Sequence, residues 1–256
     1  MSAASALSAV GAAQLEPSDA GPLVVVSAHA ADFVWRAGGV IAQSAAAGRE
    51  VTIVCLSFGE RGESQGAWRQ PGMTLEKVKE IRRAESAEAA NVLGAQVVFL
   101  DAGDYPLPQS AELLDSLVDV IRSTRPRAIL THSSADPYNT DHPFAAELTI
   151  KARMVAQADG LPSAHPPLGA PPVFRFEPHQ PEMCDFRPDV LLDISEVFET
   201  KLAAMRCMKA QDHLVRYYTA LGLRRGVQAV RNGGRKEITH AEAFQRVFPL
   251  VTGRLL

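Results

Sequence analysis

Cysteine is scarce in this chain: three residues in 256, Cys55, Cys184 and Cys207, widely separated and without a CxxC pair. That spacing excludes a disulfide framework and a thiolate zinc cluster, and leaves packing as the simplest role for each. There is no basic excess, with 26 Lys and Arg against 29 Asp and Glu and a net charge of −3. Without a Lys/Arg-rich run or a block of like charge, neither nucleic acid nor a membrane surface is an expected partner. No apolar run approaches the roughly 20 residues that a bilayer span needs. Residues 1–21 are rich in Ala and Ser but lack the cationic start and apolar core of a secretory signal, so they are expected to form a flexible extension and the protein to be cytoplasmic.

With 46% hydrophobic and 21% charged residues, the chain has the composition of a soluble enzyme, and residues 22–256 fit a single α/β domain. Strand-like runs at Leu23–Ala28, Val51–Ser57, Val97–Leu100 and Ala128–Thr131 alternate with helical sequence at Val34–Ala47, 74–93 and Ala111–Ser123. Thr74 is placed to cap the second of these helices and Gly94 to stop it. The βαβαβαβ order predicts a Rossmann-like, mostly parallel sheet with flanking helices. Short strands follow at Val173–Phe176 and Val190–Ile194, then a helix over Glu196–Gln211. The Pro-rich stretch 161–172 is the clearest break and reads as a linker, a lid or a subunit contact.

Chemistry concentrates where strands end. Ser27-Ala28-His29-Ala30-Ala31-Asp32 places an imidazole and a carboxylate three residues apart after an apolar strand, where α/β proteins form ligand and metal sites. His and Asp are both zinc ligands, although a buried His hydrogen-bonded to its Asp is the alternative reading of this segment alone. Asn139-Thr140-Asp141-His142 follows the strand-like run Ala128–Leu130 and brings a second imidazole to the same edge. Three ligands leave a coordination position open, as in catalytic rather than structural zinc sites.

Together these segments resemble the PIG-L/LmbE family of zinc-dependent N-deacetylases, whose opening motif reads His-Pro-Asp-Asp-Glu and whose later motif ends in Asp-His. Gly59-Glu60-Arg61-Gly62, Ile81-Arg82-Arg83-Ala84-Glu85, Leu93-Gly94-Ala95 and Phe99-Leu100-Asp101 with Asp104 extend the resemblance. It implies that His29, Asp32 and His142 hold zinc. The departures are informative. Ala31 stands where the deacetylases place the Asp that takes a proton from water, Asn139 where many carry a His, and Phe33 where Glu is common. Neither a methyl group nor an amide has useful acid or base capacity near neutral pH.

The longer strings His29 to Gly39, Ser57 to Ser64 and Asp136-Pro137-Tyr138-Asn139, with Lys201 to Cys207, Gln211, Tyr217-Tyr218 and Ala241 to Phe244, resemble the 4-oxalomesaconate hydratase branch of that family. This branch acts in gallate and protocatechuate breakdown. The resemblance implies addition of water to a conjugated double bond of a small polycarboxylate, and it accounts for Ala31. His179, set among turn formers, and Glu63, in a polar loop, are the expected proton-transfer residues. Arg36, Arg61, Arg82, Asn139 and His132 are the expected substrate contacts, since Arg pairs with carboxylate through two parallel hydrogen bonds. His165, His213 and His240 read as surface or structural residues. Relatives of this kind imply a homo-oligomer. The competing readings are an N-deacetylase of an amino sugar or small amide, which needs another base, and a noncatalytic metal-binding protein.

Overall fold

The computed structural model describes residues 21–251, so the extension expected at 1–21 lies almost wholly outside the described residues. Five strands, β1 (Leu23–Ser27), β2 (Val51–Cys55), β3 (Gln96–Phe99), β4 (Ala128–Thr131) and β5 (Val173–Phe176), pair in parallel. β7 (Ala241–Arg246) runs antiparallel to both β5 and β6 (Val190–Asp193), which completes a seven-stranded sheet in the order β3-β2-β1-β4-β5-β7-β6. The α/β reading is correct, with an antiparallel edge that the sequence did not announce.

β1 is buried along its whole length because both faces of the sheet are covered, and this is why it reads as a continuous apolar run. Its side chains alternate between two cores. Leu23 and Val25 join the cluster under α1 (Asp32–Ala46), α3 (Leu75–Leu93) and α6 (Phe198–Cys207). Val24 and Val26 join the opposite cluster, under α4 (Ala111–Thr124) and α5 (Asp141–Val155). Thr74 caps α3, its hydroxyl accepting the Lys77 N–H at 3.3 Å, and Gly94 ends it at φ 75°.

The predicted helix over Glu196–Gln211 is instead α6 between two 3₁₀ turns, 195–197 and 209–211, because Met208 at ψ 65° leaves the helical region. The short helix α2 (Gln65–Trp68), the long helix α7 (Leu214–Arg231) and β7 are further elements. The Pro-rich stretch is pinned to α4 by Arg122, which donates to the carbonyls of Leu161 and His165, and by Arg125, which donates to that of Pro167. None of its residues lines the main cavity, so it is a fastened connection and not a lid over that cavity.

From β1 the chain winds outward through β2 and β3, then returns to place β4 on the other side of β1. The carboxyl ends of β1 and β4 therefore flank the reversal of winding, the place where open α/β sheets bind ligands. His29 follows β1, Glu63 follows β2, His132 to His142 follow β4, and His179 follows β5.

Candidate active site

His29 lies in the turn between β1 and α1, fully buried, and Asp32 opens α1. His142 sits in the first turn of α5, and Glu63 in the loop before α2. One ligand atom from each of these four side chains lies within 4.8 Å of the other three. His29 Nδ1 is 3.3 Å from both Asp32 Oδ2 and Glu63 Oε1. His142 Nε2 is 3.5 Å from Asp32 Oδ1 and 3.7 Å from Glu63 Oε1.

The other nitrogen of each ring is occupied. His29 Nε2 meets Asp141 at 3.2 Å and His142 Nδ1 meets Asp136 at 2.8 Å. Ionised carboxylates only accept hydrogen bonds, so these partners fix the tautomers and leave lone pairs on His29 Nδ1 and His142 Nε2. Those two atoms are buried with no hydrogen-bond partner. Buried orphans of this kind are rare, and two that converge on carboxylate oxygens fit a divalent cation. The residues expected as ligands are thus brought together, and Glu63, expected to move protons only, adds its Oε1 to the same group.

Electrostatics agree. Burial works against charge on His29, but the Glu63 carboxylate and hydrogen bonds to Asp141, Asp32 and Glu63 outweigh it and raise its proton affinity well above the usual imidazole value. Burial also opposes ionisation of Asp32, and His142 and His132 overcome it, holding the carboxyl well below its ordinary pKa. Glu63 is likewise lowered against its burial, chiefly by His29. The pocket floor favours positive charge.

A cavity of about 750 Å³ opens above this floor, lined by Asp32, Glu63, His142 and also by Arg36, Asn139 and His179. His179 has its proton affinity lowered by burial and by Arg36, which favours the neutral ring, and it stacks on Tyr217 with centroids 4.1 Å apart. Tyr217 donates its hydroxyl hydrogen to the His179 carbonyl, which fixes the backbone there. Asn139 donates from Nδ2 to Glu63 Oε1 at 2.9 Å and accepts the Asp141 N–H at 3.1 Å. It therefore orients Glu63 as well as facing the cavity.

Three expected substrate contacts stand elsewhere. His132 is fully buried and stacked on His142 at 4.3 Å; its Nε2 accepts the Ala28 N–H, and burial together with His142 pushes its pKa down to about 3. It supports the His142 ring from behind. Arg82 is fully buried in α3, donating to the Phe58 carbonyl, Glu85 and Gln211. Arg61 leaves the cavity to others: its Nη1 bonds the Asp104 carbonyl at 3.1 Å on a side chain that is half exposed.

Sequence reasoning missed part of the wall. His213, read as a surface or structural residue, lines the cavity with Arg69, Tyr105, Lys209 and Gln211, because the 209–211 turn returns to α2. A β-carbon on Gly66 would stand 3.0 Å from the Ala210 carbonyl oxygen, which shows how closely these walls meet. The one signal available was Gln211 among the segments shared with the hydratase branch. Asp104 shapes the remaining side, accepting the N–H groups of Arg61 and Gly62 at 2.9–3.1 Å and so setting the loop that carries Glu63.

Comparison with known proteins agrees with this geometry. The chain is 53% identical over 235 residues to a 4-oxalmesaconate hydratase of Pseudomonas putida, covering 91% of each chain. The crystal structure of the 4-carboxy-2-hydroxymuconate hydratase of Pseudomonas putida superposes with a TM-score of 0.90 at 52% identity, over 92% of this chain and 100% of that one. A diacetylchitobiose deacetylase of Thermococcus kodakarensis is 29% identical over 201 residues, 76% of this chain and 71% of its own. The family model for PIG-L, GlcNAc-PI de-N-acetylase, matches residues 24–153, which carry His29, Asp32, Glu63 and His142, and the chain belongs to that family.

Proposed function

We propose that this protein is a zinc-dependent hydro-lyase that adds water to 4-oxalomesaconate, giving 4-carboxy-4-hydroxy-2-oxoadipate, in the breakdown of gallate or protocatechuate. The observation that carries this reading is the pairing of a retained ligand group with a changed set of proton-transfer groups. Ala31 replaces the deacetylase base beside Asp32, while Glu63 and His179 face the same cavity. Likeness to hydratases at 52–53% identity, against 29% for a deacetylase, supports the same choice.

Zinc held by His29, Asp32 and His142 would supply a Lewis acid that polarises substrate oxygens or lowers the pKa of water. The rest falls to the chain. Hydration forms a C–O bond at the carbon bearing the branching carboxylate and a C–H bond at its neighbour. One proton is taken from water and one is delivered to carbon, with no change in redox state. Glu63, held ionised and oriented by Asn139, has the form that accepts a proton. His179 follows β5, two strands beyond β1 from the side that carries Glu63, so the two groups approach the bound alkene from different walls. Arg36, Arg69 and Lys209 supply cations for a substrate with three carboxylates.

The same reading includes a cytoplasmic homo-oligomer; no helix among the described residues is long and apolar enough to cross a membrane. Sedimentation of the purified protein tests the assembly. The reaction is tested by the loss of 4-oxalomesaconate absorbance on adding zinc-loaded protein. No change while the metal stays bound overturns the proposal.

A further inference from the structure

Gln211 is more than nine-tenths buried, yet it lines the cavity. Its Oε1 receives two hydrogen bonds, from Arg82 Nη2 at 3.1 Å and from Trp35 Nε1 at 3.4 Å. Guanidinium and indole nitrogens are donors only, so the atom they meet is the carbonyl oxygen and the amide orientation is fixed. The NH₂ group is consequently turned away from Arg82 and Trp35, and no acceptor among the described residues takes it.

The support behind Gln211 is itself held. Arg82, fully buried, has Nη1 2.8 Å from Glu85 Oε2 and Nε 3.3 Å from the Phe58 carbonyl, and Glu85 Oε1 accepts the Ala210 N–H at 2.9 Å. α3 and the 209–211 turn are thereby clamped together with their charges paired. A donor whose position and polarity are set in advance costs little to order when a ligand arrives.

We infer that Gln211 is a substrate-binding residue, its amide NH₂ donating to a carboxylate or carbonyl oxygen of a small polycarboxylate, and that Arg82 is a positioning residue acting through it. The inference rests on the cavity binding a polycarboxylate, as in the function proposed above. Gln211→Glu is the discriminating substitution. Its carboxylate still accepts from Arg82 and Trp35, but it offers the cavity an acceptor and a negative charge where the amide offered two N–H groups.

The experiment measures the Kd of an unreactive saturated tricarboxylate, propane-1,2,3-tricarboxylate, by calorimetry on metal-loaded protein, together with KM and kcat. Gln211→Glu should raise Kd and KM by about 10- to 100-fold, the span of a hydrogen bond to a charged group. The metal content should stay unchanged and kcat move far less than KM, the pattern of lost binding common to ground and transition states. Arg82→Lys should raise KM too, and the double variant should be no worse than Gln211→Glu alone, since Arg82 works through the residue already changed. A structural role for Arg82 gives additive effects instead. Should Gln211→Glu not fold, Gln211→Asn, which withdraws the amide by one methylene, must show the same rise in Kd. Wild-type Kd in a folded Gln211 variant, or full additivity, overturns the inference. Hydration of 4-oxalomesaconate by a Gln211→Glu protein with wild-type KM refutes this inference and leaves the functional reading intact. Tight, Gln211-dependent binding of the tricarboxylate without any hydration does the reverse.

Discussion

Ala31 presents a methyl group with no exposed surface, packed into the cluster between the sheet and α1, α3 and α6. The wild-type protein should therefore release little acetate from N-acetylated sugars, measured by a coupled acetate assay, and efficient release would contradict the hydratase reading. Ala31→Asp should not restore deacetylation. The new carboxylate would enter an apolar cluster at a cost of several kcal/mol, on the order known for an unpaired buried charge, and a thermal melt would show it. His142→Ala removes one of the two orphaned imidazole nitrogens on the floor. Metal content by elemental analysis and activity should fall together, and full occupancy would take His142 out of the ligand set. His179→Ala and Glu63→Gln should each lower kcat by about 10²- to 10⁴-fold, as for lost proton transfer. Near-normal metal content is expected in both, since three ligands remain. Loss of metal in Glu63→Gln would make Glu63 a fourth ligand, a role its position 3.3 Å from His29 Nδ1 permits.

At the scale of elements, the loop between β2 and α2 holds Glu63 under tight steric control. A β-carbon on Gly62 would stand 1.9 Å from the Tyr105 ring. Gly62→Ala must displace either Tyr105 or the Glu63 backbone, so kcat should drop at least about 10-fold, the scale on which small misplacements of reacting groups are felt, with the melting temperature nearly unchanged. On the other wall, α7 is tied to the end of β5 by a buried ion pair, with Arg225 Nε 2.8 Å from Glu177 Oε2. Arg225→Ala leaves Glu177 charged, buried and unpaired two residues before His179. It should destabilise the fold by about 3–5 kcal/mol in a denaturant titration, whereas replacing an exposed pair would cost under about 1 kcal/mol.

For the whole molecule, a cation held there would tie together groups from the turn after β1, α1 and the start of α5, with Glu63 from the loop after β2 beside them. Anything that binds the folded state alone adds stability by mass action. Chelation should accordingly lower the melting temperature and metal should restore it; a melt indifferent to chelator would mean that the four side chains are arranged for another purpose. The winding of the sheet explains why these groups meet. Its reversal between β1 and β4 leaves an open crevice at their carboxyl ends, and the returning 209–213 segment and α7 close its outer side.

Much of this was determined by local sequence. Apolar β-branched runs, the Thr74 cap and the Gly94 stop specify β1 to β4 and the helices between them, because hydrophobic period and end chemistry are properties of contiguous residues. That His29, Asp32 and His142 meet was legible for a similar reason: polar residues that converge on a site recur at strand ends in short motifs. β7 was not, since Ala241-Glu242-Ala243-Phe244-Gln245-Arg246 has weak strand character and is held by its neighbours. Glu242 there accepts the N–H groups of Gly39 and Val40 at 2.6 and 2.9 Å and an ion pair from Lys201 at 2.7 Å, partners some 40 to 200 residues away. The fates of the arginines were likewise decided only in three dimensions. Arg82 and Arg61 sit in motifs as promising as that of Arg36, but burial against Glu85 and Gln211 turns one inward and Asp104 holds the other outside the cavity. Which guanidinium lines the cavity depends on where the folded chain carries it, and that is settled by contacts between segments that sequence proximity does not encode.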